Sequence, residues 1–190
     1  MNVGLLTYYR SNVFGGYWQS LSHLQALSKL PDVSNVSLIP ILHTTRLQKL
    51  RGIQKRPRHI IQSLKRHIDY HVQRKNHIGE FLLDGYINLH DNEALSNYVT
   101  NNNIHLLITG ADTCLNLTKE DIQKRRIPVY WPNPSRNVNH ATFSASCGDL
   151  SINSLSSGLY DHLGEGISKS SYLGFRDKST EVLFSHLNSK

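Results

Sequence analysis

Short apolar runs alternate along the chain with stretches in which apolar residues recur every three or four positions. Residues 2–8 and 104–109 are the clearest runs, and their nearly continuous apolar character is typical of strands buried on both faces of a sheet. Residues 17–27 have helical spacing, and Pro31 predicts where that helix has ended. Strands that alternate with helices predict an α/β fold: a Rossmann-like parallel sheet flanked by helices.

Weaker patterns predict three further strands. Residues 36–42 and 127–131 are apolar, although Pro40 and Pro128 weaken both predictions because proline donates no hydrogen bond to a sheet. Residues 141–145 are predicted as a short strand that leads into a small polar segment.

Capping residues predict two later helices, and a polar stretch predicts a long loop. Thr118 opens a capping-box-like pattern at the start of a short helix. Asp177 is a plausible N-cap for a terminal helix that carries Val182, Leu183 and Leu187. Residues 149–171 are rich in Ser, Gly and Asn and are predicted as a loop.

Three small polar segments follow apolar runs, at residues 11–16, 110–116 and 144–148. In an open α/β sheet, ligands bind outside the carboxyl ends of the strands, so we expect the three segments to meet there. Gly15 and Gly16 would let a loop approach a ligand closely beside a helix N-terminus. The alternative is a tight turn that binds nothing, since the chain has no GxGxxG or GxxxxGK[ST] motif.

Few individual side chains indicate chemistry by themselves. Asp112 could accept hydrogen bonds from a sugar hydroxyl or act as a base, and it could equally cap a turn or a helix. Cys114 and Cys147 have neither metal-ligand spacing nor the number needed for a disulfide framework, and the histidines show no HxxxH or HExxH pattern. The sequence therefore predicts no metal site and identifies no catalytic residue by spacing.

The positive charge of the chain is local. The formal net charge is +7, yet residues 46–75 hold ten Lys or Arg residues and one acid, so the rest of the chain carries −2. We predict a basic helical insertion at about residues 44–80. It could be a solvated helix face, or it could contact nucleic acid, an anionic membrane surface or an acidic saccharide. Of these, nucleic acid is the less expected partner.

The sequence has no run that approaches the roughly 18 apolar residues of a membrane span. Arg10 interrupts the first apolar run, so the N-terminus lacks the pattern of a signal peptide. On these grounds the expected location is cytoplasmic.

Residues 3–19 form a predicted strand, a Thr-Tyr-Tyr step, an Asn-Val-Phe-Gly-Gly turn and a helix that carries Gln19. This succession resembles the opening of the polysaccharide pyruvyl transferase family, with its Thr-Phe-His-like step and Asn-Tyr-Gly-Ala-like turn. Four later segments resemble further motifs of that family, in the family's order: residues 81–89 (its aromatic-rich segment), 108–116 (Val-Gly-Ser-Asp-Gln-Val-Trp-Asn), 143–148 (Tyr-Ala-Ala-Ser-Phe-Gly) and 175–179 (Val-Arg-Glu-x-Ser).

The chain departs from the family pattern at three places. Tyr9 stands where the motif has histidine, and Val13 and Phe14 stand where it has Asn-Tyr. Leu115 stands where it has tryptophan.

The resemblance implies one lobe of a two-lobed, GT-B-like transferase. Such enzymes transfer pyruvate from phosphoenolpyruvate, as donor substrate and without a further cofactor, to a hydroxyl of a cell-surface polysaccharide, forming a ketal. Residues 1–190 would be the N-terminal, acceptor-side lobe, with the C-terminal lobe absent, and the expected partner is a C-terminal lobe or a second chain. In this family the groups that grip phosphoenolpyruvate lie mainly in that second lobe, so the catalytic residues stay unknown.

The expected partners are a saccharide or polysaccharide acceptor and phosphoenolpyruvate. The residues expected to bind substrate share a place in the three polar segments: Arg10, Asn12, Gly15, Gly16, Asp112 and Ser146. Two other functions stay open, namely a truncated, non-catalytic remnant or binding domain, and a binder of nucleic acid or anionic surfaces through residues 46–75.

Overall fold

The computed structural model describes residues 1–8, 14–42, 81, 86–133 and 135–188, with the backbone alone described at Phe14, Gly15, Ala111 and Asp112. The predicted basic insertion at about residues 44–80 lies outside the described residues, as do Arg10 and Asn12.

The described chain alternates strands and helices, as predicted. The strands are β1 (Asn2–Leu6), β2 (Asn35–Leu38), β3 (Ile41–Leu42), β4 (Ile87–Asn88), β5 (Leu106–Asp112), β6 (Asn139–Ala145) and β7 (Tyr172–Phe175). The α-helices are α1 (Phe14–Leu27), α2 (Asn92–Asn101), α3 (Lys119–Lys124), α4 (Ser157–Ser168) and α5 (Lys178–Leu187), and one 3₁₀ turn covers Ile152–Ser154.

Five strands form one parallel sheet in the order β2-β1-β5-β6-β7. Strand β1 pairs with β5 from Val3↔Leu106 to Leu6↔Thr109. Strands β3 and β4 form a separate parallel pair, in which Ile41 lies opposite Ile87. The chain is therefore an α/β protein with a Rossmann-like parallel sheet flanked by helices.

Alternate side chains of β1 and β5 face different helices, which places helices on both faces of the sheet. Leu5 packs in a cluster with residues of α1, and Ile108 lies against the same cluster. Leu6 and Leu107 instead join a cluster that contains Leu95 of α2. The chain runs from β1 outward to β2 on one side and from β5 outward to β6 and β7 on the other, so the strand order reverses between β1 and β5. Ligand sites of open α/β sheets lie at such a switch point.

The predicted strand at residues 36–42 is interrupted. Strand β2 ends at Leu38, and β3 begins only at Ile41. Pro40 lies between them and lacks the N–H that a continuous ladder requires. Its carbonyl instead accepts a hydrogen bond from Ile87 N at 2.9 Å, which leads the chain into the β3–β4 pair.

The predicted strand at residues 127–131 is wrong. The segment is a buried turn: Trp131 N donates to Pro128 O at 3.0 Å, and Val129 N donates to Leu89 O at 2.8 Å. Val129, Tyr130 and Trp131 are fully buried. The segment is apolar because it is buried beneath the helices. A buried turn and a buried strand give the same run of apolar residues, so the sequence pattern alone could not distinguish them.

The predicted loop at residues 149–171 is also wrong, because it contains α4. Three of the helix's buried residues, Leu159, Leu163 and Ile167, recur every four positions. Gly164 and Gly166 concealed this stripe, and packing requires both. A Cβ at Gly164 would lie 2.6 Å from the carbonyl oxygen of Leu187, and one at Gly166 would lie 2.3 Å from that of Pro132.

Candidate functional site

The carboxyl end of β1 is joined to the first turn of α1 by buried hydroxyl groups. Thr7 follows β1 and is 2% exposed, and its Oγ1 lies 3.4 Å from Ser20 Oγ. Ser20 Oγ donates to the carbonyl oxygen of Gly16 at 2.7 Å. Across the sheet, the Tyr130 hydroxyl donates to the carbonyl oxygen of Thr7 at 3.4 Å. These contacts fix the N-terminal end of α1 at the switch point.

Gly15 and Gly16 lie inside α1, which corrects the expectation that they precede the helix. The helix begins at Phe14 rather than at Tyr17. The first four N–H groups of an α-helix have no acceptor within the helix, and both glycines lie in this first turn. Gly16 is buried.

Residues 110–112 belong to β5, whereas they were expected to form a loop. Gly110 pairs with Phe143 and Asp112 with Ala145, so β5 continues to Asp112. The prediction ended the strand at Thr109 because Gly110 and Asp112 are poor strand formers. The parallel partner β6 overrides that local preference, and Asp112 becomes the last residue of β5.

The loops that follow β5 and β6 meet directly, as predicted for this edge of the sheet. Leu115 N donates to the carbonyl oxygen of Ser146 at 3.1 Å. Gly148 has a φ of +60°, and a Cβ there would lie 3.6 Å from the side-chain amide of Asn116. Glycine suits Gly148 because the left-handed conformation there disfavours other residues.

Ser146 lies at the centre of a hydrogen-bonded network that sequence reasoning missed. It is 2% exposed, and its Oγ accepts from Gly148 N at 3.0 Å. The Ser146 hydroxyl also hydrogen-bonds the carboxylate of Asp177. Asp177 caps α5 by accepting from Thr180 N at 2.8 Å, and it accepts from Thr180 Oγ1 at 2.7 Å. The loop after β6 is therefore held to the first turn of α5.

The electrostatics of this network favour an ionised carboxylate beside a neutral thiol. Partial burial opposes ionisation of Asp177, but hydrogen bonds from Ser146, Ser179 and Thr180 hold its pKa well below the usual range. Burial raises the pKa of the Cys147 thiol to about 12, against the opposing hydrogen bond with Thr180. Cys147 is therefore protonated at neutral pH and is not a nucleophile at this site.

A bulge at Ser144 precedes the loop of Ser146. The β6–β7 register shifts between Thr142 and Ala145, and Ser144 has a φ of +53°. A non-glycine residue in this conformation costs of order 1–2 kcal/mol. Strained positions of this kind concentrate at functional sites, and bulges there redirect the chain.

Of the residues expected to bind substrate, four lie within the described part of the chain, and all four lie at the carboxyl edge of the sheet. Gly15 and Gly16 are at the start of α1, Asp112 ends β5, and Ser146 follows β6. Sequence reasoning missed Asp177 and Thr180 as partners of Ser146. Asp177 was predicted only as a helix cap, and no local signal shows that the cap faces a loop 31 residues away.

No family model, curated protein or solved structure matches the chain. Within the described residues, no helix is both long and apolar enough to cross a membrane. In the same residues, no three His, Cys, Asp or Glu side chains are grouped so that they could hold a metal ion.

Proposed function

We propose that the chain is a lobe of a two-lobed, GT-B-like enzyme related to the polysaccharide pyruvyl transferases. It would bind the saccharide acceptor at the carboxyl edge of the sheet, while a second lobe or second chain holds phosphoenolpyruvate. Pyruvate would then pass to a sugar hydroxyl as a ketal.

One observation carries the proposal: segments that resemble separate motifs of that family lie together at one edge. The loops after β5 and β6 are joined by the Leu115–Ser146 hydrogen bond. The Arg-Asp-x-Ser step at residues 176–179 reaches the same loop, because Asp177 hydrogen-bonds Ser146. The N-terminal end of α1 lies beside the switch point of the same sheet.

The chemistry of this edge favours a neutral acceptor over phosphoenolpyruvate. A donor with a phosphate and a carboxylate requires several Arg or Lys contacts. The described residues here offer backbone N–H groups at Gly15 and Gly16, and Asp112 as the last residue of β5. A carboxylate is suited to accept hydrogen bonds from a sugar hydroxyl or to take its proton as a base.

The test is phosphoenolpyruvate-dependent ketal formation by the protein expressed from its complete gene. Phosphate release and the methyl signal of the ketal, observed by NMR, are measured over a panel of saccharide acceptors. We expect Asp112→Asn to reduce kcat/KM for the acceptor at least tenfold and to leave the KM for phosphoenolpyruvate unchanged. Asp32→Asn, which alters an exposed turn carboxylate remote from this edge, is the matched control. Absence of a ketal with every acceptor would overturn the proposal.

The alternatives give different results in the same experiments. A non-catalytic binding domain would bind saccharides, with Asp112→Asn weakening that binding, but would release no phosphate. A nucleic-acid binder acting through residues 46–75 would bind oligonucleotides with an affinity that falls steeply with salt. That segment lies outside the described residues, and no structural observation favours the nucleic-acid function.

A further inference from the structure

A cavity lies at the amino edge of the sheet, opposite the carboxyl edge that carries the loops after β5 and β6. Its volume is about 490 Å³, and it lies where the chain enters β5, β6 and β7. Among the described residues, its lining includes His105, Arg136, His140 and Lys169 and no acidic side chain. It shares no lining residue with the candidate site at the carboxyl edge.

Arg136 is a buried cation without a counter-ion in the described part of the chain. It is 8% exposed, and its Nη2 donates to Asn92 Oδ1 and, at 3.0 Å, to Val129 O. Its Nε and Nη1 are buried and have no hydrogen-bond partner there. Burial lowers the pKa of Arg136 to about 9, which leaves it charged at neutral pH. Buried charges in proteins are normally paired with a group of opposite charge. Arg136 has no such group among the described residues, so its Nε and Nη1 could donate to an anionic ligand.

His140, which also lines the cavity, has a buried acceptor. Its Nε2 lies 2.9 Å from Thr109 Oγ1, and that hydroxyl donates its only proton to Tyr130 O at 2.7 Å. The Nε2 must therefore carry a proton and donate it to Thr109, which leaves Nδ1 as a bare acceptor. Nδ1 is buried and has no partner among the described residues. Burial and the nearby Arg136 lower the pKa of His140 to about 3, so the ring is neutral at pH 7.

Two further groups add donors at this cavity. Lys169 is half exposed, and its Nζ lies 2.8 Å from Glu165 Oε1. His105 Nδ1 accepts from Asn2 N at 3.1 Å, so the neutral ring carries its proton on Nε2, as a donor. The cavity thus combines cationic and neutral donors with one unpaired acceptor.

The nearby C-terminal end of α4 opposes an anion less strongly than a free helix end, because the carbonyl groups of Glu165, Gly166 and Ile167 have hydrogen-bond partners. Lys169 N donates to Glu165 O, and Ser170 N donates to Ile167 O at 3.0 Å. Ser170 Oγ donates to Gly166 O at 3.1 Å. Carbonyl groups with partners present less of the negative end of the helix dipole to a ligand.

We propose that this cavity binds a small phosphate-type oxyanion, either hydrogen phosphate, which carries a hydroxyl on phosphorus, or a phosphate monoester whose organic part carries a hydroxyl. Its phosphoryl oxygens accept from Arg136 and Lys169, and that hydroxyl donates to His140 Nδ1. A pocket of this volume lies within the range that holds small organic ligands, so a sugar-sized ester fits as well as free phosphate.

Isothermal titration calorimetry of the intact chain at pH 7.5 and constant ionic strength tests this proposal. The probes are inorganic phosphate, glucose 6-phosphate, sulfate and glucose. Sulfate is the matched anion without a hydroxyl at this pH, so we expect it to bind at least fivefold more weakly than phosphate. Tighter binding of glucose 6-phosphate would identify an ester as the ligand, and equal or weaker binding would identify free phosphate. Glucose alone should not bind.

Two lysine variants separate the cavity from the basic segment at residues 46–75. Lys169 and Lys124 each form an exposed ion pair with a glutamate four residues earlier, with a separation of 2.8 Å in both. Only Lys169 lines this cavity. We expect Lys169→Met to weaken phosphate binding about threefold to fivefold and Lys124→Met to leave it unchanged. Arg136→Gln should abolish binding, and its folding is checked by circular dichroism.

The proposal is overturned if phosphate does not bind, if phosphate and sulfate bind alike, if Lys169→Met leaves phosphate binding unchanged, or if both lysine variants weaken binding equally. Because Lys169 is exposed, the lysine comparison decides the question even if Arg136→Gln does not fold.

Discussion

The backbone N–H of Cys147 donates to Thr180 Oγ1 at 2.9 Å, which joins the end of β6 to the first turn of α5. The same hydroxyl donates to Asp177 Oδ1 at 2.7 Å, so Thr180 is both acceptor and donor while fully buried. A buried hydroxyl that satisfies two neighbours is costly to remove, because both lose their partner.

Thr180→Val should therefore destabilise the protein while preserving the shape of the side chain. We expect a loss of about 1–3 kcal/mol in the free energy of unfolding, because Cys147 N is left as an unsatisfied buried donor. Urea denaturation measures the change. Thr180→Ser keeps the hydroxyl and loses only the methyl group, so its loss in the free energy of unfolding should be less than half that of Thr180→Val. Equal losses in the two variants would contradict the prediction, because the methyl group would then contribute as much as the hydrogen bonds.

His140 should make the protein less stable as the pH falls from about 6.5. The unfolded chain takes up a proton on this ring near pH 6.5, whereas burial and Arg136 hold the folded pKa to about 3. The free energy of unfolding should thus fall by up to about 1.4 kcal/mol per pH unit between these values. Above pH 7 the ring is neutral in both states and contributes no slope.

His140→Gln tests this prediction, since an amide can still donate to Thr109 without titrating. Urea denaturation at pH 7, 6 and 5 should show a shallower pH dependence for this variant than for the parent. His186→Gln, at an exposed position in the last turn of α5, is the control and should keep the parent slope. A parent-like slope in His140→Gln would contradict the prediction.

Local patterns predict this fold where neighbours in sequence decide the structure. The capping box is present, with Thr118 Oγ1 accepting from Asp121 N at 3.1 Å, and Asp177 caps α5 as expected. The parallel sheet follows from apolar runs that alternate with helices. Helix caps depend on residues three positions apart, and strands depend on consecutive apolar residues, so both patterns can be read from a single sequence.

Features that depend on distant neighbours could not be predicted. Two glycines, Gly164 and Gly166, lie within the helix that carries the apolar stripe. They are required because the backbone of Leu187 and of Pro132 packs too closely for a Cβ, and that packing is known only from the structure. Likewise, Ser146 was expected to face a ligand, but its hydroxyl is engaged with Gly148 and Asp177. The sequence thus predicted that the segments after β5 and β6 meet at the carboxyl edge of the sheet, and it missed their internal contacts.

Replacing Ser144 with glycine should stabilise the bulge in β6. Its φ of +53° disfavours side chains with a Cβ, so Ser144→Gly should raise the free energy of unfolding by about 1 kcal/mol. Ser144→Ala keeps the Cβ and removes the hydroxyl, so it should not stabilise. Thermal and urea denaturation compare the variants. If Ser144→Gly instead lowers the free energy of unfolding, the serine hydroxyl stabilises the protein by more than the backbone strain costs.

Two glycines of α4 should respond to alanine in opposite directions. A Cβ at Gly166 would lie 2.3 Å from the carbonyl oxygen of Pro132, a backbone atom that cannot move without shifting the buried turn at Trp131. Gly166→Ala should therefore cost about 2 kcal/mol or more, as expected for overpacking. At Gly158 nothing lies within 4 Å of the added Cβ, so Gly158→Ala should gain about 0.5–1 kcal/mol through its helix preference. Urea denaturation of the two variants and the parent measures both changes in the free energy of unfolding. Equal changes in the two variants would mean that α4 does not pack against Pro132 as described.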